Sequence, residues 1–378
     1  MSRRAYLGAD IFDGTSLVSG KALVLDGARI EGIVAPDAVP PDVDVAQLDG
    51  GTLMPGFVDL QVNGGGGVMF NDETNAQGVA QIARAHATTG TAALMPTLIT
   101  DTRDKTRAAV DEIEDAIAQG VPGILGVHLE GPHLSVARKG AHDPALIREM
   151  EDADEAFLCE AARRLPNVMV TVAPENTTNA QIGRLTDAGV IVSLGHTDCS
   201  YADAAEAFAA GARCVTHLFN AMSQMGNREP GLVGATLSTP GIAAGLIADN
   251  IHVHANSMRA ALAAKDADGS VFLVTDAMST VGSDITEFLL NGRKVLRKNG
   301  RLKLEDGTLA GADLEFSKAL SVLIEKVGLH PAQAFAMTTA RPAALLRDAQ
   351  GFGALKPGQS SPVIYLNASR QFERFVSA

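Results

Sequence analysis

Eight apolar runs of strand length recur along the middle of this chain. Each gives way at its C-terminal end to polar or glycine-containing sequence. They are Phe57–Gly64, Ala93–Ile99, Gly123–Pro132, Val168–Glu175, Val190–Thr197, Cys214–Met222, Ile242–Asn250 and Val271–Ala277. Runs apolar on both faces are what strands of a buried parallel sheet require. Helix-like stretches follow most of them, as at Asn75–Thr89, Asp104–Gln119, Glu151–Arg164 and Ser200–Ala210. Eight β-then-α units in one chain predict an α/β fold closed as a (β/α)8 barrel of the TIM type. A doubly wound open sheet competes, but it usually carries a Gly-rich phosphate loop opening a helix after its first strand. Here the first run leads into Asn63-Gly64-Gly65-Gly66-Gly67, which lacks the G-x-G-x-x-G spacing and a following helix. A dinucleotide site is therefore not expected.

The two ends read differently. Residues 1–53 hold short alternating runs with an Asp26-Gly27 turn, and the tail offers another strand at Pro362–Leu366. Residues 1–53 plus 355–378 are read as one small β-sandwich domain, flanking a barrel over 54–354. A β insertion at about 287–309 follows the eighth run, with two hairpin turns, Asn291-Gly292 and Asn299-Gly300. It falls on the side where a barrel keeps its active site, so it is expected to cover the mouth.

Function lies at the C-terminal ends of barrel strands. The third run ends His128-Leu129-Glu130-Gly131-Pro132 and the fifth Leu194-Gly195-His196-Thr197. The sixth contains Thr216-His217-Leu218-Phe219-Asn220, and the eighth ends Val274-Thr275-Asp276-Ala277. A single strand-end histidine is ordinarily packing. Two histidines, a glutamate and an aspartate on four strands of one mouth are not, because charges buried near an apolar barrel top must be paired or metal-bound. Glu130, His196 and His217 are the expected ligands of a divalent ion, with Asp276 as the proton-shuttling carboxylate. His128 shares the pleat face of Glu130, either as its support or as a buried structural histidine. His133 and His254 are candidates to border the site. His86, His330 and the Cys199 thiol are read as structural.

The net charge of −13, with Lys and Arg scattered, argues against nucleic acid or an anionic membrane as partner. No stretch reaches about 18 consecutive apolar residues, so no membrane-spanning helix is expected. Asp10, Asp13 and Gly14 interrupt the sequence after the basic start, so no signal peptide is read there. Three cysteines without paired spacing, Cys159, Cys199 and Cys214, suit free thiols in the cytoplasm.

Particular motifs go further. Pro55-Gly56-Phe57-Val58-Asp59-Leu60-Gln61-Val62-Asn63-Gly64 resembles the first-strand signature of the amidohydrolase superfamily. His128-Leu129-Glu130-Gly131-Pro132, Gly195-His196-Thr197, Thr216-His217-Leu218-Phe219-Asn220-Ala221-Met222 and Thr275-Asp276-Ala277 resemble the N-acetylglucosamine-6-phosphate deacetylases within it. The likeness runs in order from about Asp49 to Gly358. It implies acetamide hydrolysis on a phosphosugar, with Asp276 as general acid/base and His142 steadying the oxyanion. It further implies that Arg228 and His252 bind phosphate, with Asn220 and Ala221, and that Ala141, His142, Leu309, Ala310 and Gly311 contact substrate. In the family this arginine reaches the neighbouring subunit's site, which implies a homodimer. The superfamily usually has His-x-His at the end of its first strand, where this chain has Gln61-Val62-Asn63. Neutral amides are weak ligands beside imidazole. Gln61 and Asn63 are therefore vestigial second-metal positions, and one ion per subunit is expected: Zn2+, with Fe2+, Co2+ and Mn2+ also suiting the ligands. An aminoacylase-like or dihydroorotase-like hydrolase of the same superfamily is the nearest alternative, and a scaffold that has lost its chemistry the remotest. The Arg228 and His252 pair argues against the former, and the intact Glu130, His196, His217 and Asp276 set against the latter.

Overall fold

Seven sequential parallel pairings tie together β1 (Phe57–Val62), β2 (Thr91–Ile99), β3 (Val127–Glu130), β4 (Val168–Val172), β5 (Ile191–Leu194), β6 (Cys214–Val215), β7 (Ala243–Leu246) and β8 (Val271–Leu273). The structure is a computed structural model describing residues 3–265 and 270–377. The sheet closes on itself just beyond the ladder. Asn63 N–H donates to Ala277 O at 2.8 Å, and Asp276 N–H donates to Gln61 O at 3.0 Å. The fold is a (β/α)8 barrel with a second, small β domain. Several runs pair over less than their apolar length. The sixth, read as Cys214–Met222, pairs only at Cys214–Val215, because His217, Phe219 and Ala221 turn to positive φ (29°, 77° and 48°) and take the backbone off the ladder.

The surrounding helices begin where side chains accept from their free N–H groups. Asn75 caps α1 (Ala76–Ala87), Thr102 caps α2 (Arg103–Ala118), and Glu151 opens α3 (Asp152–Arg164) with a capping box. Thr178 and Ser200 do the same for α4 (Asn179–Asp187) and α5 (Tyr201–Ala209). α6 (Gly231–Ser238) is buried from Gly231 to Leu237, so it lacks the apolar stripe by which a helix is usually read. α7 (Ala255–Ala264) is capped by the His254 side chain.

Strands from both chain ends build the small domain. One sheet joins Arg3–Leu7, Ala22–Asp26, Arg29–Val34 and Asp44–Gln47; the other joins Asp10–Phe12, Leu17–Val18, Thr52–Pro55, Val363–Leu366 and Phe372–Val376. Ile11, Leu23, Leu25, Leu53, Val363 and Tyr365 share one buried cluster. After β8, strands Glu287–Leu290, Arg293–Lys298, Arg301–Leu304 and Leu309–Ala312 form an antiparallel sheet. Both Asn-Gly turns take positive φ at each central residue, as a two-residue hairpin requires. Leu290, Val295, Leu302 and Ala310 pack on Met69, Ile99 and Met278, so the insert sits beside the barrel mouth.

The seam between β1 and β8 depends on one buried acid. Asp59 Oδ2 accepts from Thr275 Oγ1 at 2.5 Å, and Oδ1 accepts from Thr275 N–H and Gln61 N–H, both at 3.2 Å. Burial pushes the Asp59 carboxyl up to about 7. Replacing Asp59 with alanine strands these buried donors, and each unsatisfied group costs about 1–3 kcal/mol. Asp59→Ala is expected to lower the denaturant midpoint by at least the equivalent of one such group. An unchanged midpoint would show that the seam does not depend on Asp59.

Candidate active site

A cavity of about 390 Å3 opens at the C-terminal mouth of the barrel. Its lining includes Glu130, His142, His196, His217, Asn220, Ala221, His252 and Asp276, with Asn63, Ala141, Leu309 and Gly311. Gln61 stands just behind it in contact with Glu130 and Asp276, and Ala310 is fully buried within the insert. His133 and His254, expected at its border, do not line it: His133 Nδ1 meets Arg148 O at 3.1 Å, and His254 caps α7.

Three donor atoms converge on one point. Glu130 Oε1 lies 3.0 Å from His217 Nε2 and 3.3 Å from His196 Nε2, and the two imidazole nitrogens are 3.1 Å apart. His196 Nδ1 lies 2.9 Å from the Arg138 carbonyl, so it carries the ring proton and its Nε2 lone pair faces the cluster. His217 Nδ1 is buried and makes no hydrogen bond. A carboxylate oxygen and imidazole lone pairs converging among buried side chains suit a divalent cation. His142 stands close by. One ligand atom each from Glu130, His142 and His196 falls within 4.8 Å of the others. Burial would raise the Glu130 carboxyl, but the His196 and His217 rings beside it hold it well below the usual carboxylate range.

Backbone conformation aims these groups. His196, His217 and Asp276 have φ of 47°, 29° and 50°, the left-handed region that side chains other than glycine rarely adopt. Each such residue costs about 1–3 kcal/mol, and such residues concentrate at functional sites. Gly140, at φ 55°, lets the preceding loop come close: a Cβ there would stand 3.2 Å from His196 Cε1.

Asp276 receives two amides. Asn63 Nδ2 donates to its Oδ1 at 2.7 Å and Gln61 Nε2 at 3.1 Å, while Gln61 Nε2 also lies 3.2 Å from Glu130 Oε1. The Gln-x-Asn pair thus presents N–H groups, the positive ends of amide dipoles, to the two carboxylates. No hydrogen bond occupies Asp276 Oδ2 among the described residues. Burial and the charge of Glu130 push the Asp276 carboxyl up to about 6. On the other side Thr100 directs its N–H (3.4 Å) and Oγ1 (2.8 Å) at His142 Nδ1. The tautomer with its proton on Nε2, toward the cavity, satisfies both. Burial lowers this imidazole to about 3, so it stays neutral.

Beyond β6, φ is positive at His217, Phe219 and Ala221 and not at the residues between. The Leu218 N–H donates to Gly245 O at 2.7 Å and the Asn220 N–H to His217 O at 2.9 Å, while the Asn220 and Ala221 side chains line the cavity. His252 lies there too, its Nδ1 2.6 Å from Asp249 Oδ2. Sequence reasoning missed Asp249; its only signal was a position three residues before His252 at the end of the seventh run. Arg228 is exposed, does not line the cavity, and makes no hydrogen bond or ion pair within the chain among the described residues. His128 supports rather than reacts: its Nε2 meets Thr171 Oγ1 at 2.8 Å, and that hydroxyl meets Thr216 Oγ1 at 2.7 Å, a polar layer across the barrel beneath Glu130.

A carboxylate and imidazole cluster at the C-terminal mouth of a (β/α)8 barrel, with a second carboxylate beside it, defines a barrel hydrolase of the metal-dependent class. The chain belongs to the amidohydrolase family, whose model matches residues 52–366, and is a metal-dependent amide hydrolase. It is 40% identical to the N-acetylgalactosamine-6-phosphate deacetylase of Shewanella sp. (strain ANA-3) over 321 residues, 85% of this chain and 80% of the relative. It is 31% identical to the N-acetylglucosamine-6-phosphate deacetylase of Haemophilus influenzae over 358 residues, 94% of this chain and 93% of the relative. The crystal structure of the N-acetylglucosamine-6-phosphate deacetylase of Pasteurella multocida superposes with a TM-score of 0.94 at 32% identity, covering 99% of this chain and 98% of that one.

Because amide N–H groups stand where a second ion would need electron pairs, elemental analysis of purified protein is expected to find about one divalent ion per chain. Close to two per chain, with loss of the second on Gln61→Ala or Asn63→Ala, would contradict that reading.

Proposed function

We propose that this chain hydrolyses the acetamide of N-acetyl-D-glucosamine 6-phosphate to D-glucosamine 6-phosphate and acetate, a step of amino-sugar breakdown. One observation carries the reading: a single cavity is lined by Glu130, His196, His217 and Asp276 and also by Asn220, Ala221 and His252. The names of the Haemophilus and Pasteurella relatives support it. The Shewanella relative's name favours a second reading, the galactosamine epimer, which differs at a carbon that neither the acetamide nor the phosphate end contacts. Acetate release from the two phosphorylated epimers, compared by kcat/KM, decides between them, and release from neither would reject both.

In this mechanism Glu130, His196 and His217 hold one divalent ion, Zn2+ in our proposal, though Fe2+, Co2+ and Mn2+ suit the same donors. When bound, that ion supplies Lewis acidity toward the acetamide carbonyl and water. Gln61 and Asn63 fix Asp276 through Oδ1, leaving Oδ2 to take the proton of the attacking water and return it to the departing sugar nitrogen. His142 donates from Nε2 to the developing oxyanion. Ala141, Leu309 and Gly311 line the sugar's path, with Ala310 buried behind them. Asn220, Ala221 and His252 receive the phosphate, and Arg228 of the partner subunit completes that site in a homodimer. Three free thiols suit a cytoplasmic enzyme.

Asp276→Asn keeps the shape but cannot take a proton, and should lose about 10²–10⁴ in kcat with metal content retained. An active Asn variant would move proton transfer to another group, His142 first.

Arg228→Ala should cost about 1.5–3 kcal/mol in kcat/KM on the phosphorylated sugar, the worth of a charge-assisted contact, and far less on N-acetylglucosamine itself. Mixing tests the sharing between subunits. In a heterodimer of Arg228→Ala and Asp276→Asn chains, an arginine acting on the partner's site puts both lesions in one site and leaves the other intact. Activity should then return to about half of wild type per heterodimer. No recovery in verified heterodimers would confine Arg228 to its own subunit's site or to no site.

A further inference from the structure

Beyond β7 the chain runs Asp249-Asn250-Ile251-His252 and then enters α7. The turn is built around the Asp249 carboxylate. Its Oδ1 accepts from the backbone N–H groups of Ile251 at 2.7 Å and His252 at 2.8 Å. Its Oδ2 lies 2.6 Å from His252 Nδ1. The two side chains are only 1% and 7% exposed, yet His252 lines the substrate cavity. Asn250 takes a left-handed φ of 60°, and its Oδ1 accepts from Ala255 N–H at 2.9 Å, tying the turn to the start of α7. Both Asp249 oxygens are thus committed to setting one imidazole at one angle.

We propose that Asp249 is a positioning residue for the substrate phosphate: it holds the Nδ1–H of His252, so that Nε2 is the ring nitrogen left to meet a phosphate oxygen, with one proton between them. The inference rests on the phosphosugar reading above. A histidine with a free Nδ1 can hold its proton on either nitrogen. A carboxylate at 2.6 Å makes Nδ1 the donor and removes the tautomer protonated on Nε2 alone, so a phosphate oxygen meets Nε2 only through a proton that one of them brings. Arginine is the commoner choice for a phosphate fork; here the subunit's own cavity offers a histidine that a second acid orients.

Two measurements test it. In Asp249→Asn the backbone N–H groups keep an acceptor, but the charge is lost and the amide can turn its NH2 toward the ring. The ratio of kcat/KM for N-acetylglucosamine 6-phosphate over N-acetylglucosamine should fall at least tenfold, chiefly through KM. In a His252→Gln background the same substitution should add little, since Asp249 acts through His252. Equal losses on both sugars, or full additivity with His252→Gln, would reduce Asp249 to a structural residue and overturn the proposal. The second measurement uses the wild-type protein and does not depend on a variant folding. ¹⁵N NMR of the His252 ring should show a proton on Nδ1 before phosphate is added. Titration with inorganic phosphate should then place Nε2 in a hydrogen bond, with Nδ1–H retained. A ring protonated on Nε2 alone would overturn the proposal. Absence of acetate release from either sugar by the wild-type enzyme would instead reject the functional reading, leaving the NMR result to judge the pair itself.

Discussion

Two carboxylates buried side by side at the top of an apolar barrel set the terms for the rest of this structure. Glu130 and Asp276 are 3% and 8% exposed and share the Gln61 amide between them. Unpaired, such charges would be very costly to remove from water. The surroundings divide the problem. Glu130 faces two imidazole nitrogens in an arrangement suited to a cation, while Asp276 receives only neutral amide donors and sits higher on the pH scale. One acid is thereby suited to holding a metal and the other to moving a proton. Neighbours of different character let two similar groups take different roles.

That division requires accurate placement, which the closed barrel supplies. Asp276 follows β8 immediately, where its N–H pairs with Gln61 O across the seam and Asp59 clamps Thr275 next to it. The amides that hold the Asp276 side chain come from the same first strand that fixes its backbone. Strain at His196, His217 and Asp276 persists because the ladders below and the polar layer through His128, Thr171 and Thr216 leave these residues no alternative path. The left-handed turns direct the side chains inward from strands that have just ended.

The rest of the cavity wall comes from the insert and from loops after the strands. The insert after β8 brings Leu309 and Gly311 to the cavity wall, and Arg293 on its second strand donates to the Ala141 carbonyl, joining it to the loop that carries His142. Asn220 and Ala221 after β6, and His252 held by Asp249 after β7, complete the wall. Arg228 stands apart in solvent, outside the cavity.

The amino-acid sequence by itself determined the barrel and where its chemistry would lie. Eight apolar runs with polar ends are legible because burial on both faces and strand length leave a period that composition cannot disguise. Glu130, His196, His217 and Asp276 stand out because charged and imidazole groups at four such ends have no ordinary packing role. The same reasoning could not see that the sixth run would leave its ladder after Val215. Left-handed φ at His217, Phe219 and Ala221 is imposed by the loop's contacts and has no glycine to announce it. It read Gln61 and Asn63 as lapsed metal positions, whereas the fold turns their N–H groups onto Asp276 from across the seam, 215 and 213 residues away in sequence. It named His252 but not Asp249, and it could not say which nitrogen of His196 faces the cluster until the Arg138 carbonyl was seen beside the other. Pattern along a chain records which groups are buried, because hydrophobicity is a property of each residue. Which hydrogen bond each buried polar group makes is a property of pairs, and only the closed barrel brings those pairs together.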